Sequence, residues 1–334
     1  MPVLETHHDL AHPVEGDAAW SESYYFNAFD PGSDSGFFTR IGIRPNEGSM
    51  DVSMSAWLPG GELAEYRASR AQTEMVDTVL DVGAARYQML EPMRAWRISM
   101  DAESTARACA GSGVGGPGRA IPVALDVRFE ALTPGIGTDG QGPGGTKSDE
   151  AAAASATVGK GHLEQAGRWT GWFEVDGRRH HWDGALGNRD RSWGPRRWGG
   201  PRMWRWFSIN VGETVHFGGI RLGTGAGDLH RGWVWDGGRA TSVSEWRLRT
   251  ELADDGLTQR VVHLEVVDKA GHTHVLRGDV QRVAGIGRMA GTLVNEGLTR
   301  WTYLDGPAGP GVGYGISEYL HQLDDSGKPV VAIE

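Results

Sequence analysis

Cysteine occurs once, at Cys109, so no internal disulfide and no cysteine-based zinc cluster can form. Lysine is nearly as scarce, standing only at 147, 160, 269 and 328, and the net charge is −10. A protein that worked by gripping a phosphate backbone would carry a basic footprint, and this chain is acidic. No nucleic-acid partner is expected. A run of eighteen apolar residues is also missing, and the opening "MPVLETHHDLAHPVEGDAAW" has acids and histidines where an export signal needs a basic start and an apolar core. These absences lead us to expect a cytoplasmic protein without stable membrane insertion.

What the sequence has in quantity is glycine, 51 residues, often as Asp-Gly or Gly-Gly between short apolar runs. Such pairs supply the left-handed backbone of tight hairpin turns. In "RWTGWFEVDGRRHHWDG", alternate residues run up to Asp176-Gly177 and away again, which predicts a hairpin. Turns every eight to twelve residues continue to the end of the chain, an antiparallel meander. "GFFTRIGIRP", "SMDVSMSAWLP" and "IPVALDVRFEALTP" predict strands in the first half, while "GELAEYRASRAQTE" suits a helix or a strand. The fold class is therefore all-β. The stretch from 135 to 160 is rich in Gly, Ser and Ala without periodicity, so the division is expected there, with a first domain over 1–140 and a second over 155–334.

Two glycine-rich stretches imitate nucleotide loops. Gly111, Gly113 and Gly116 match a GxGxxG spacing but follow no buried strand, and "GPGGTKS" has Thr146 where a phosphate loop requires Gly. No nucleotide or other cofactor is expected. His272 and His274 share a face as metal ligands must, but no third ligand stands at motif spacing, and His180 and His181 point to opposite faces. No metal is expected either, and no GxSxG nucleophile elbow occurs.

Eleven of the fourteen tryptophans lie from Trp169 onward, as befits the walls of a barrel lumen or ordinary core packing. Trp182, Trp193, Trp204 and Trp206 are the candidates for contact with an apolar small molecule. "GNRDRSWGPRRWGG" places Asp190 between Arg189 and Arg191, and in a strand the two arginines share one face while Asp190 and Ser192 share the other. Facing an apolar space, Asp190 would hold its proton and could deliver it to a double bond or a carbonyl. Wrapped by arginines, it would be an ion-pair partner, and both readings stay open. His162 and Glu164 share a face in "GHLEQAG", and Glu318 sits on the last expected strand in "GYGISEYL".

"GHLEQAGRWTGWFEVDG" with "DGALGNRDRSWGPR", together with "WSESYYFNAF", "YQMLEPMRAWRI" and "GYGISEYL", resembles a bacterial family related to carotenoid 1,2-hydratase, also called hydroxyneurosporene synthase. The resemblance implies two lipocalin-like β-barrels packed together, in a group that includes alkene hydratases and Diels-Alder-type cyclases. It also implies that Asp190 is the acid that protonates an isoprenoid double bond. The sequence departs from the pattern at Arg191, where relatives commonly carry His, so a proton relay through that position is in doubt and Arg191 is instead a candidate to hold a substrate carboxylate or carbonyl. The expected activity is cofactor-independent hydration, isomerisation or cyclisation of a terpenoid, polyene or steroid-like molecule. The alternatives are a non-catalytic carrier of such a ligand and a pericyclic cyclase.

Overall fold

The computed structural model describes residues 1–109, 116–139, 159–225, 227–289 and 291–334. The glycine-rich stretches at 110–115 and 140–158, which contain most of the two loop-like motifs and of the expected interdomain segment, lie outside the described residues.

Eleven strands build the first sheet: β1 (Trp20–Asp30), β2 (Ser35–Arg44), β3 (Ser49–Trp57), β4 (Glu62–Ala71), β5 (Val79–Val82), β6 (Ala85–Glu91), β7 (Ala95–Ala108), β8 (Arg119–Ala131), β9 (Ile136–Thr138), β10 (Gly161–Val175) and β11 (Arg178–Pro195). Their order is β4-β3-β2-β1-β11-β10-β8-β7-β6-β5, with β9 on β10, and β4 also pairs with β7 so that the sheet returns on itself. The second sheet is a closed eight-stranded barrel of β12 (Met203–Val211), β13 (Val215–Thr224), β14 (Gly227–Trp235), β15 (Ala240–Leu252), β16 (Gln259–Asp268), β17 (Thr273–Met289), β18 (Thr292–Asp305) and β19 (Gly311–Gln322). The all-β class expected from the turn chemistry is what the chain forms. The stretch that suited helix or strand equally is β4.

The hairpin at Asp176-Gly177 joins β10 to β11, with both residues at positive φ (51° and 75°), the backbone that a type I′ turn requires. That hairpin lies after the expected division, yet β11 pairs with β1 along Trp20–Phe29 and β10 pairs with β8. The boundary expected between 140 and 155 is therefore corrected: the two sheets divide between Pro195 and Met203. The composition of 135–160 marks an interruption within the first sheet, because the strands flanking it share its hydrogen-bond ladder.

Both interiors are filled. Tyr24, Phe26, Phe37, Trp96, Phe129, Trp169, Phe173 and Trp182 pack inside the first sheet, and Phe207, Phe217, Trp246, Trp301 and Tyr303 inside the second barrel. The outer faces of the two sheets then meet over Tyr25, Phe29, Phe38, Trp57, Trp204, Trp206, Val294 and Leu298. Strands at this junction are covered on both faces, which is why every residue of "MWRWFSINV" in β12 is buried and its alternation is hard to see.

Candidate active site between the two barrels

Register decides which side chains share the seam. Directly opposed residues of neighbouring strands point the same way, so Arg40 of β2, Tyr25 of β1, Asp190 of β11 and Glu164 of β10 form one row across the outer face of the first sheet. The second barrel presents a matching row of Trp206, Glu318 and Glu296 from β12, β19 and β18. The Tyr25 hydroxyl donates to Glu296 Oε2 at 3.3 Å, and the Tyr25 ring meets Trp206 edge-on with centroids 5.5 Å apart. Trp206 Nε1 donates to Glu164 Oε1 and Trp233 Nε1 to Glu164 Oε2, both at 2.7 Å. His162 Nε2 lies 3.0 Å from Glu164 Oε1. Glu164 is thus held from both barrels, and Trp204 Nε1 donates to Glu318 in the same way.

The protonation pattern follows from this placement. Burial pushes the Asp190 carboxyl up to about 6, with Glu164 and Glu318 adding to the rise and His162 and Arg196 opposing it. Burial likewise raises Glu296, reinforced by Glu318, and raises Glu318 against the opposing hydrogen bonds from Glu296 and Trp204. Two carboxyls that share a site cannot both ionise cheaply, so this pair holds a proton to higher pH than a lone exposed carboxyl would. For His162, burial favours the neutral ring, but the hydrogen bond to Glu164 and the charges of Asp190 and Glu164 outweigh it and raise its pKa. Arg196 closes the cluster, its guanidinium carbon 4.7 Å from the Trp198 ring centre and 5.6 Å from that of Trp204. Asp190, His162, Arg196 and Glu318 keep partial exposure. A cavity of about 360 Å³ opens farther along the seam, lined among others by Phe29, Asp34, Arg282, Leu298 and Tyr314.

The structure brings together Asp190, His162, Glu164, Glu318, Trp204 and Trp206. It separates the rest. Arg189 and Arg191 share the opposite face of β11, where Arg189 grips Asp9 with two bonds of 2.7 and 2.8 Å and Arg191 donates to Glu22 at 2.8 Å and to the Leu10 carbonyl at 2.6 Å. The expectation that Arg191 holds a substrate group is corrected, because its guanidinium is fully buried behind the sheet from Asp190. Trp193 lies on that same face, stacked on His12 at 3.9 Å. Trp182 is inside the first sheet between Phe37 and Phe173. The walls of the candidate site are outer faces: Trp204 and Trp206 stand there, whereas Trp182 fills the interior it was expected to line.

Tyr25, Arg196, Arg40 and Glu296 were not among the sequence candidates. Glu296 had a legible signal: in "LVNEGL" it replaces an apolar residue in the alternation Val294, Glu296, Leu298. Among the described residues no group of three or more His, Cys, Asp or Glu side chains could hold a metal ion. His272 and His274 are instead hydrogen-bonding neighbours of Asp268 at a hairpin turn, at 3.2 and 3.3 Å.

Paired antiparallel barrels with a cluster of acids and indoles buried between them define the class of protein. The chain belongs to the family of a domain of unknown function (DUF7064), whose model matches residues 5–323. No curated protein matches the sequence. Among solved structures it is similar to an AttH-like protein of Nitrosomonas europaea (13% identity, TM-score 0.62, 90% of this chain and 92% of that one). It is also similar to kievitone hydratase of Nectria haematococca (14% identity, TM-score 0.56, 90% of this chain and 88% of that one). CghA in complex with Sch210972 is a further likeness, with 13% identity, a TM-score of 0.56 and coverage of 91% and 88%. These likenesses establish the lipocalin-like double-barrel fold.

Proposed function

We propose that the protein is a cofactor-independent enzyme that hydrates, isomerises or cyclises a hydrophobic unsaturated substrate in the seam, with Asp190 as the acid. One observation carries the reading: a carboxyl with its pKa pushed up to about 6 stands partly accessible in a row with Tyr25 and Glu164, facing Trp206 of the other barrel. In a hydration, Asp190 gives its proton to one carbon of a double bond and the other carbon becomes cationic. The π faces of the indoles and of Tyr25 stabilise that cation. Water then adds through its oxygen, and its surplus proton passes to the Asp190 carboxylate, which restores the acid. Glu318, anchored on the opposite wall by Trp204, is placed to orient that water.

The name of the hydratase among the fold neighbours supports a reaction of this kind. The relation to carotenoid 1,2-hydratase and a terpenoid, polyene or steroid-like substrate belong to the same proposal. Asp190→Asn keeps the shape and removes the acid. Extraction of the ligand that co-purifies with the protein, followed by turnover assays on it, is expected to show conversion by the parent and a loss of at least about a hundredfold in kcat for the variant, with binding kept. Equal turnover by both proteins overturns the role of Asp190, and binding without turnover by either makes the protein a carrier.

A further inference from the structure

The second barrel carries at one end a feature unrelated to the seam chemistry. After β19 the chain turns back at residues 323–329, where Leu323 bridges to Pro329 and Val330 N donates to the Gln322 carbonyl at 2.8 Å. It then crosses the barrel mouth to β15, where Thr250 N donates to the main-chain oxygen of Glu334 at 2.6 Å. In the closed ring β15 and β19 lie opposite each other, so the segment straps the mouth across its diameter, with Ile333 packed on the aromatic interior.

Beneath the strap lies a basic floor. Arg205 of β12 and Arg221 of β13 are directly paired and point inward in one row with His230 and Tyr319. Arg205 is fully buried over the Tyr319 ring, 4.4 Å from its centre. Its Nη1 donates to the Trp204 and Leu320 carbonyls, at 2.9 and 3.2 Å. Nε and Nη2 have no hydrogen-bond partner among the described residues, and neither ring nitrogen of the buried His321 has one. Arg221 gives Nε to Asp228 at 2.6 Å. The Glu334 side chain completes the arrangement, with Oε1 2.8 Å from Arg221 Nη1 and Oε2 3.6 Å from Arg205 Nη2.

The charges are informative. Two guanidiniums face Asp228 and Glu334, and among the described residues Asp228 pairs with Arg221 and not with Arg205. His321 adds no charge, because burial and the Arg205 cation lower its pKa to about 3. Without Glu334 the floor would hold one uncompensated cation out of water, which is costly, together with directed donors that an acceptor anion can satisfy while also balancing the charge. We propose that the mouth of the second barrel is a binding site for a small carboxylate, in which Glu334 sits as an intramolecular ligand that an external carboxylate displaces. The filled interior limits the ligand to a short one, and a bidentate guanidinium match favours a carboxylate over a spherical anion.

Acetate is the probe, with sodium chloride at equal ionic strength as control. Calorimetric titration of the full chain is expected to show acetate binding to Glu334→Gln at least about tenfold tighter than to the parent, with a matching rise of the melting temperature in the variant alone. Adding Arg221→Gln is expected to abolish that gain. Should Glu334→Gln fail to fold, amide hydrogen exchange in the parent decides. Acetate, and not chloride, is expected to speed exchange at Thr250 and Val330, whose N–H groups hold or flank the strap. Equal acetate affinity in parent and folded variant overturns the proposal, as does exchange at those two amides that acetate leaves unchanged.

Discussion

Asp190 is held by its strand neighbours between Tyr25 and Glu164, where water cannot fully solvate a carboxylate. Its native pKa is raised above the ordinary carboxylate value, so the native state keeps a proton that the unfolded chain releases. The stability tied to that proton is complete in acid and is lost as pH rises through about 6. Asp190→Asn, which cannot ionise, is therefore expected to raise the melting temperature at pH 8 by more than at pH 4. An equal shift at both pH values would mean that the carboxyl is solvated. The same ionisation sets the expected rate profile: kcat/KM of the parent falls as pH rises through about 6, because the proton donor is being lost. Asp190 was legible as a strand residue separated from its flanking arginines, and the structure keeps that separation. Its surroundings were not legible, since Glu296 and Tyr25 stand more than a hundred residues from it on the one side and on the other, and only strand register brings them together.

Strand β11 shows how one element serves both sides of a sheet. Its even positions Asn188 and Asp190 face the seam, where Asn210 Nδ2 donates to Asn188 Oδ1 at 2.8 Å. Its odd positions Arg189 and Arg191 face the short 3-10 helix Thr6–Asp9 and the segment after it. Asp9 is fully buried, takes two bonds from Arg189 and accepts from Met93 N at 2.6 Å. Breaking a buried ion pair leaves the other charge stranded, at a cost of roughly 3–5 kcal/mol. Asp9→Asn is expected to lose about that much in urea unfolding. A loss below about 1 kcal/mol would show that the helix is not needed to hold β11. Hairpins of this kind were readable because Asp-Gly chemistry is local. Arg191 was misassigned to a substrate because its partners, Asp9 and Glu22, lie far from it in sequence and only folding brings them behind β11.

At the scale of the whole molecule, polar contacts bind the barrels into one body. Asn27 Nδ2 donates to Ser208 Oγ at 3.2 Å, Arg282 reaches back to the Leu58 carbonyl and to Asp34, and Glu164 accepts from two indoles of the second barrel. Ellipticity and tryptophan fluorescence are expected to report one coincident unfolding transition; two separated transitions would show that the barrels melt independently. The tryptophans concentrated in the second half left lumen walls and core packing both open, because composition does not reveal which face of a strand meets another sheet.

The late arrival of β10 and β11 in the first sheet shapes how the chain must be made. Until about Pro195 has left the ribosome, β1 and β8 have no partner on their inner flanks and present two bare rows of amide and carbonyl groups, an invitation to intermolecular pairing. The strands before β10 therefore have open edges during synthesis, and their protection by chaperones, or by speed of elongation, has to last until β11 is made.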